Sequence, residues 1–176
     1  MPLTPRELVQ KAASEFLDRP LVTNSLRSLL VEAMVDEALK PDWMWCAADY
    51  HAWDFEHESG TRLELKQSAA RQTWGAGQKG YSAPRFDIAA RKVRWEGSKR
   101  IEMPGRYADI YVFAYHSALG PDADHRNSLQ WSFYVVRSAD LPHQKTVGIA
   151  KISSLAAPVS FDLLRATVME ALQPKA

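Results

Sequence analysis

The chain has 176 residues, 46% of them hydrophobic and 24% charged, which suits one well-packed soluble domain and is short for two. No apolar run approaches the length of a membrane helix, "MPLTPREL" has no signal-peptide core, and the lone Cys46 excludes a disulfide framework or a Cys-based zinc site, so a cytoplasmic protein without membrane contact is expected. The net charge of +1 gives no global argument for an anionic partner, and the five histidines show no metal spacing such as H-x-H or H-E-x-x-H.

"TPRELVQKAASEFLD" places Thr4 as N-cap, Pro5 at the first helical position and Glu7 as the closing acid of a capping box, predicting a helix through about Asp18. Pro20 ends it. "TNS" (Thr23–Ser25) caps a second helix that reaches about Leu39 and is stopped by Pro41. In that helix Leu26, Leu29, Leu30, Ala33 and Met34 define an apolar face, with Glu37 near its middle and Glu32 on the polar side. The aromatic-rich "DWMWCAADYHAWDF" leads into a strand in which Asp54 alternates with Trp53 and Phe55, and "HESG" suits a hairpin turn. "RLELKQ" then alternates as a strand, Leu63 and Leu65 on one face and Arg62, Glu64 and Lys66 on the other.

Gln67 to Ser82 reads as helix or loop, with Gly75, Gly77 and Gly80 favouring a loop near its end. "RFDIAARKVRWE" is a strand candidate. "ADIYVFAYH" (Ala108–His116) and "LQWSFYVVR" (Leu129–Arg137) are the clearest strands, and "KTVGIAKI" is a shorter one. Ser160 caps a last helix, residues 160–172, whose Phe161, Leu164, Val168 and Leu172 share a face. With no repeats, low-complexity tracts or linkers, residues 1–176 read as one α/β domain.

Charge is unevenly distributed. Residues 1–61 carry five Lys/Arg against eleven Asp/Glu, whereas residues 62–106 carry eleven against four. A basic block of this kind can track a phosphate backbone, and a solvated surface balanced by the acidic N-terminal third is the competing interpretation. Arg71, Lys79, Arg91, Lys92 and Arg94 are its candidate nucleic-acid contacts.

Asp54, nine residues, then Glu64-Leu65-Lys66 resembles the signature of the PD-(D/E)XK nuclease superfamily, with Trp53 in place of the proline of the family name. "WDFEHESGTRLELKQSAARQTW" is similar to a group of bacterial members in which a Gln and a Trp follow Glu-x-Lys, as Gln72 and Trp74 do. Their preceding helix resembles "NSLRSLLVEAMVDEAL" and places a Glu where Glu32 stands; the resemblance covers roughly residues 24 to 137.

It implies a restriction-endonuclease-like α/β core, a central mixed β-sheet flanked by helices. It also implies a Mg²⁺-dependent DNA endonuclease of restriction, defence or repair, with Mn²⁺ able to substitute and a homodimer or larger nuclease complex as its assembly. Asp54, Glu64 and the carbonyl of Leu65 would be metal ligands, hard oxygen donors of the kind Mg²⁺ takes. Lys66 would position or activate the nucleophilic water. Glu32 would be the helix acid, with Glu37 as the alternative, and Gln72 would contact that water or the phosphate. The bland alternative for Glu64 and Lys66 is an ion pair on an exposed sheet face. The functional alternatives are a non-catalytic nucleic-acid-binding module and a nuclease subunit that takes its target recognition from a partner.

Overall fold

The computed structural model describes residues 2–46, 52–74, 81, 83–93 and 99–173, and the backbone alone of 94–96. The predicted capping box starts α1 (Pro5–Leu17): the Glu7 N–H donates to Thr4 Oγ1 at 3.3 Å and the Thr4 N–H to Glu7 Oε2 at 2.8 Å. None of its residues is buried. Helix α2 (Asn24–Leu39) buries Arg27, Val31, Val35 and Leu39, one residue per turn. This corrects the predicted apolar face, since Leu29 is 47% exposed. The inward line begins with a charged residue whose hydrogen bonds make its burial tolerable, and hydrophobic counting reads such a line as polar.

Five strands form the main sheet in the order β1 (Trp43–Trp45), β2 (Phe55–His57), β3 (Arg62–Ala69), β7 (Ile110–His116), β8 (Trp131–Arg137). Neighbours are antiparallel except for β3 and β7, which run parallel with Glu64 beside Tyr111 and Lys66 beside Phe113. The predicted hairpin joins β2 to β3, its turn closed by Gly60 at φ 80° and by the Gly60 N–H donating to the His57 carbonyl at 2.8 Å. This is a mixed α/β sheet, as expected.

Alternating side chains send the sheet into two cores. Leu63, Leu65, Ile110, Val112 and Phe133 meet Val31, Val35 and Leu39 of α2 and Leu164 and Val168 of α4 (Phe161–Leu172). On the opposite face Tyr111, Phe113, Tyr134 and Val136 pack on Phe86 of β4 (Arg85–Asp87), Val147 of β9 (Thr146–Gly148) and Ile152 of α3 (Ile149–Ser153). Burial on both faces explains why β7 reads as a continuous apolar run.

Several predicted elements are corrected. "RFDIAARKVRWE" is two strands, β4 and β5 (Arg91–Glu96), because the Asp87 carboxylate accepts the Ala89 N–H at 2.9 Å and turns the chain between them. "KTVGIAKI" ends as helix α3 after a three-residue strand. β3 runs on through Ala69, so the Gln67 end of the expected helix or loop is strand, while residues 75–80 and 82 lie outside the described residues. β6 (Lys99–Gly105), which pairs with β5 as a separate two-stranded ribbon, has no counterpart in the predicted elements. Among the described residues no helix is long and apolar enough to cross a membrane.

Candidate active site

β2 begins only at Phe55, and the chain just before it carries Asp54 along the edge of β3. The Asp54 N–H donates to the Leu63 carbonyl at 2.9 Å, and Asp54 Oδ2 accepts the Leu65 N–H at 2.6 Å. Asp54 thereby replaces the missing β2 ladder and straddles Glu64. A strand residue points its N–H and C=O to the same edge, so the Leu65 carbonyl opens on the side occupied by Asp54. Glu64 and Lys66 share a sheet face and form an ion pair, their side chains 19% and 23% exposed.

From α2, Glu32 reaches the same notch and accepts a hydrogen bond from Trp45 Nε1 at 3.1 Å. Glu37 sits on the outer side of the helix, exposed and paired with Lys40 at 2.8 Å. Of the two candidate helix acids, Glu32 is therefore the one in the cleft. The cleft measures about 870 Å³, and Asn24, Glu32, Asp54, Lys66, Gln72 and Asp87 are among the residues that line it.

Electrostatics at the notch resist full ionisation. Burial, then the charge of Glu64, pushes the Asp54 carboxyl up to about 7, against the Leu65 hydrogen bond and Lys66. Glu32 is raised as well, by burial first and then by Glu64, against the Trp45 hydrogen bond. Two carboxyls, Asp54 and Glu32, held back from ionising by burial and by the charge of Glu64, with Lys66 attached to Glu64, make an environment favourable to added positive charge. Asp54, Glu64 and the Leu65 carbonyl fit a hard divalent cation in donor chemistry. Among the described residues, though, no group of three His, Cys, Asp or Glu side chains is drawn together tightly enough to form a finished metal cage.

The far wall of the cleft depends on a residue absent from the sequence expectations. Arg27 is 1% exposed and sends Nε to Gln67 Oε1 at 2.7 Å, Nη1 to Gln72 Oε1 at 3.2 Å and Nη2 to Asn24 Oδ1 at 2.8 Å. Every one of these acceptors is neutral, and burial alone lowers the guanidinium to about 10. Gln72 is held at both ends of its amide, since its Nε2 donates to the Ala69 carbonyl at 2.7 Å. It lines the cleft as a braced side chain whose second Nε2 hydrogen the Ala69 bond leaves over. A solitary arginine within "NSLRSLL" was the sequence signal for this hub.

Of the described basic candidates, Arg71 is held apart from the two on β5. Arg71 donates to the Gly120 carbonyl and is tied to the loop before β8. Arg91 and Lys92 are exposed on β5, Arg91 paired with Asp87 at 2.6 Å. Lys79 and the side chain of Arg94 lie outside the described residues. A comparison of the chain with protein-family models finds no match, and none is found among curated proteins.

Proposed function

We propose that this chain is a Mg²⁺-dependent DNA endonuclease built on a restriction-endonuclease-like core, with the Asp54/Glu64/Lys66 notch as its active site. The observation that carries this is the placement of Asp54 across Glu64, with its carboxyl held near 7 by burial and by that neighbour. An ordinary surface aspartate gains nothing from such crowding, whereas a cation site needs it.

Asp54, Glu64 and the Leu65 carbonyl would hold the metal, which when bound supplies charge neutralisation at the phosphate and a more acidic water. The protein's own groups do the rest. The Lys66 ammonium, fixed beside Glu64, stands where it can orient the attacking water and counter the charge that grows on the phosphoryl oxygens. Glu32, held by Trp45, can accept a proton from that water, its raised affinity for protons matching the task. Arg27 braces Gln67 and Gln72 and sets the position of the cleft wall.

The unfinished carboxylate cage and the Glu64–Lys66 pair favour a second reading, a nucleic-acid-binding module that does not cut. Supercoiled plasmid incubated with Mg²⁺, Mn²⁺ or EDTA separates the two. Nicking or linearisation that needs metal and is lost in Asp54→Ala supports the nuclease; metal-independent retention of intact plasmid supports the module.

A further inference from the structure

β5 and β6 form a ribbon whose described side chains belong to neither core. Its strands pair antiparallel from Arg91–Gly105 to Glu96–Lys99, and neither strand packs extensively against any other element. Arg91, Lys92, Lys99, Arg100, Glu102 and Met103 are all exposed, and among the ribbon residues whose side chains are described none is buried. A two-stranded ribbon on its own is marginally stable in water, so one that stands clear of the core needs an anchor.

The anchor is visible at its base. Arg106 donates Nε to the Ile88 carbonyl at 2.8 Å and Nη2 to the Pro142 carbonyl at 2.5 Å, and the Tyr107 hydroxyl donates to the Met103 carbonyl at 2.5 Å. On the other strand Arg91 is tied to Asp87, which itself lines the cleft. The ribbon is thus fixed at one end beside the candidate active site, and most of its described side chains are exposed.

Its charge and dimensions identify an occupant. Residues 91–106 carry six Lys/Arg against two Asp/Glu. Lys92 and Lys99 make no ion pair with a described side chain, while Arg100 pairs with Glu102. The seven residues of β6 extend about 20 Å at roughly 3.3 Å per residue. A B-form major groove, about 12 Å wide, admits a two-stranded ribbon, and the major groove of duplex RNA is too narrow and deep for one.

We propose that the β5–β6 ribbon inserts into the major groove of duplex DNA, Lys92, Lys99 and Arg100 meeting the flanking phosphates, and delivers the strand to the adjacent notch. This rests on the nuclease reading and deepens it: it makes double-stranded DNA the substrate class.

Fluorescence anisotropy in EDTA tests it without cleavage. A 20-base-pair DNA duplex, one of its single strands and the matching RNA duplex are titrated at several salt concentrations. The parent binds the DNA duplex at least about tenfold more tightly than the other two. Lys92→Gln/Lys99→Gln/Arg100→Gln loses that preference and about 2–3 units of salt slope, each phosphate contact contributing about 0.9. A control, Lys11→Gln/Lys145→Gln/Lys151→Gln, keeps both. Equal losses in the two triples, or equal binding of DNA and RNA duplexes by the parent, overturn the ribbon assignment. A ribbon variant that neither binds nor cuts differently overturns it too and leaves the nuclease standing. Ribbon-dependent duplex binding with no metal-dependent cutting leaves the ribbon standing and removes the nuclease.

Discussion

The carboxylate of Asp54 takes the Leu65 N–H at 2.6 Å and lies across Glu64, and burial, then the charge of Glu64, raises its proton affinity. A single hydrogen bond therefore aligns a candidate ligand with the edge of β3 and crowds two carboxyls into one place. The cost of that crowding falls on the protein without metal.

Stability should follow the Asp54 proton. Its carboxyl titrates near 7 in the folded chain, against an ordinary 3.8. Between those values the folded state holds a proton that the unfolded state has released, so metal-free stability falls as pH rises through this window. His125, lowered to about 4 mainly by burial and then by Arg27, has the opposite effect up to about pH 6.5. The clean range is therefore pH 6.5–8. There the parent should lose melting temperature while Asp54→Asn, which cannot ionise, stays flat and is the more stable by about 0.5–2 kcal/mol at pH 8. Parallel curves for the two proteins would refute a strained Asp54.

The same proton should leave when a cation binds. At pH 6.5–7, Mg²⁺ stabilises the parent by mass action and displaces the Asp54 proton. Calorimetry in two buffers of different ionisation enthalpy should show a release of up to one proton in the parent and none in Asp54→Asn. No release, together with no thermal shift at tens of millimolar Mg²⁺, argues against a preformed carboxylate site.

Lys66→Ala should retain the fold and lose cleavage by about 10²–10⁴, the usual span for a positioned acid–base group. Its ammonium touches Glu64 and contributes nothing to either core. Metal binding should weaken less than in Asp54→Ala. Plasmid nicking at the parental rate would place the chemistry elsewhere.

Arg27 offers a test of the cleft wall. Arg27→Met takes the donor from the partly buried Gln67 Oε1 and Gln72 Oε1, while the exposed Asn24 Oδ1 keeps the Gln67 Nε2 bond at 3.1 Å, so at about 1–3 kcal/mol per group left unsatisfied the loss should be about 2 kcal/mol or more. The His125 imidazole should then protonate more readily, because Arg27 is second only to burial in suppressing its charge. Arg27→Lys keeps the charge and loses the fork, so it should be destabilised while His125 stays low. Chemical denaturation and NMR titration read both effects.

The parts legible in the sequence are those specified by short spacing. Thr4 and Glu7 are three residues apart, Gly60 sits in a tight turn, and Asp54 faces Glu64 across a hairpin, so each could be placed from its neighbours alone. The Arg27 hub could not, because its partners Gln67 and Gln72 are 40 and 45 residues away. The inward face of α2 was misassigned for the same reason: the residue that leads it is charged, and its compensation comes from another element. β6 is not legible because "KRIEMPG" has no buried face to impose an alternating pattern, and among the described residues its extensive packing is with β5 alone.

The helix acid can be decided by one pair of variants. Glu32 and Glu37 lie five residues apart on α2, yet one enters the cleft beneath Trp45 and the other pairs with Lys40 in solvent. Glu32 is raised by burial and by Glu64, and its own charge is among those that raise Asp54. Glu32→Gln keeps an acceptor for Trp45 Nε1 and removes one of the three crowded charges. Metal-free stability at pH 8 should therefore hold or rise, the Asp54 proton should be lost at lower pH, and cleavage should fall tenfold or more at fixed Mg²⁺. Glu37→Gln breaks only an exposed ion pair, so stability should stay within about 0.5 kcal/mol and cleavage within twofold. Cleavage lost in Glu37→Gln and kept in Glu32→Gln would move the helix acid one and a half turns along α2, out of the cleft, and the notch would no longer account for the chemistry.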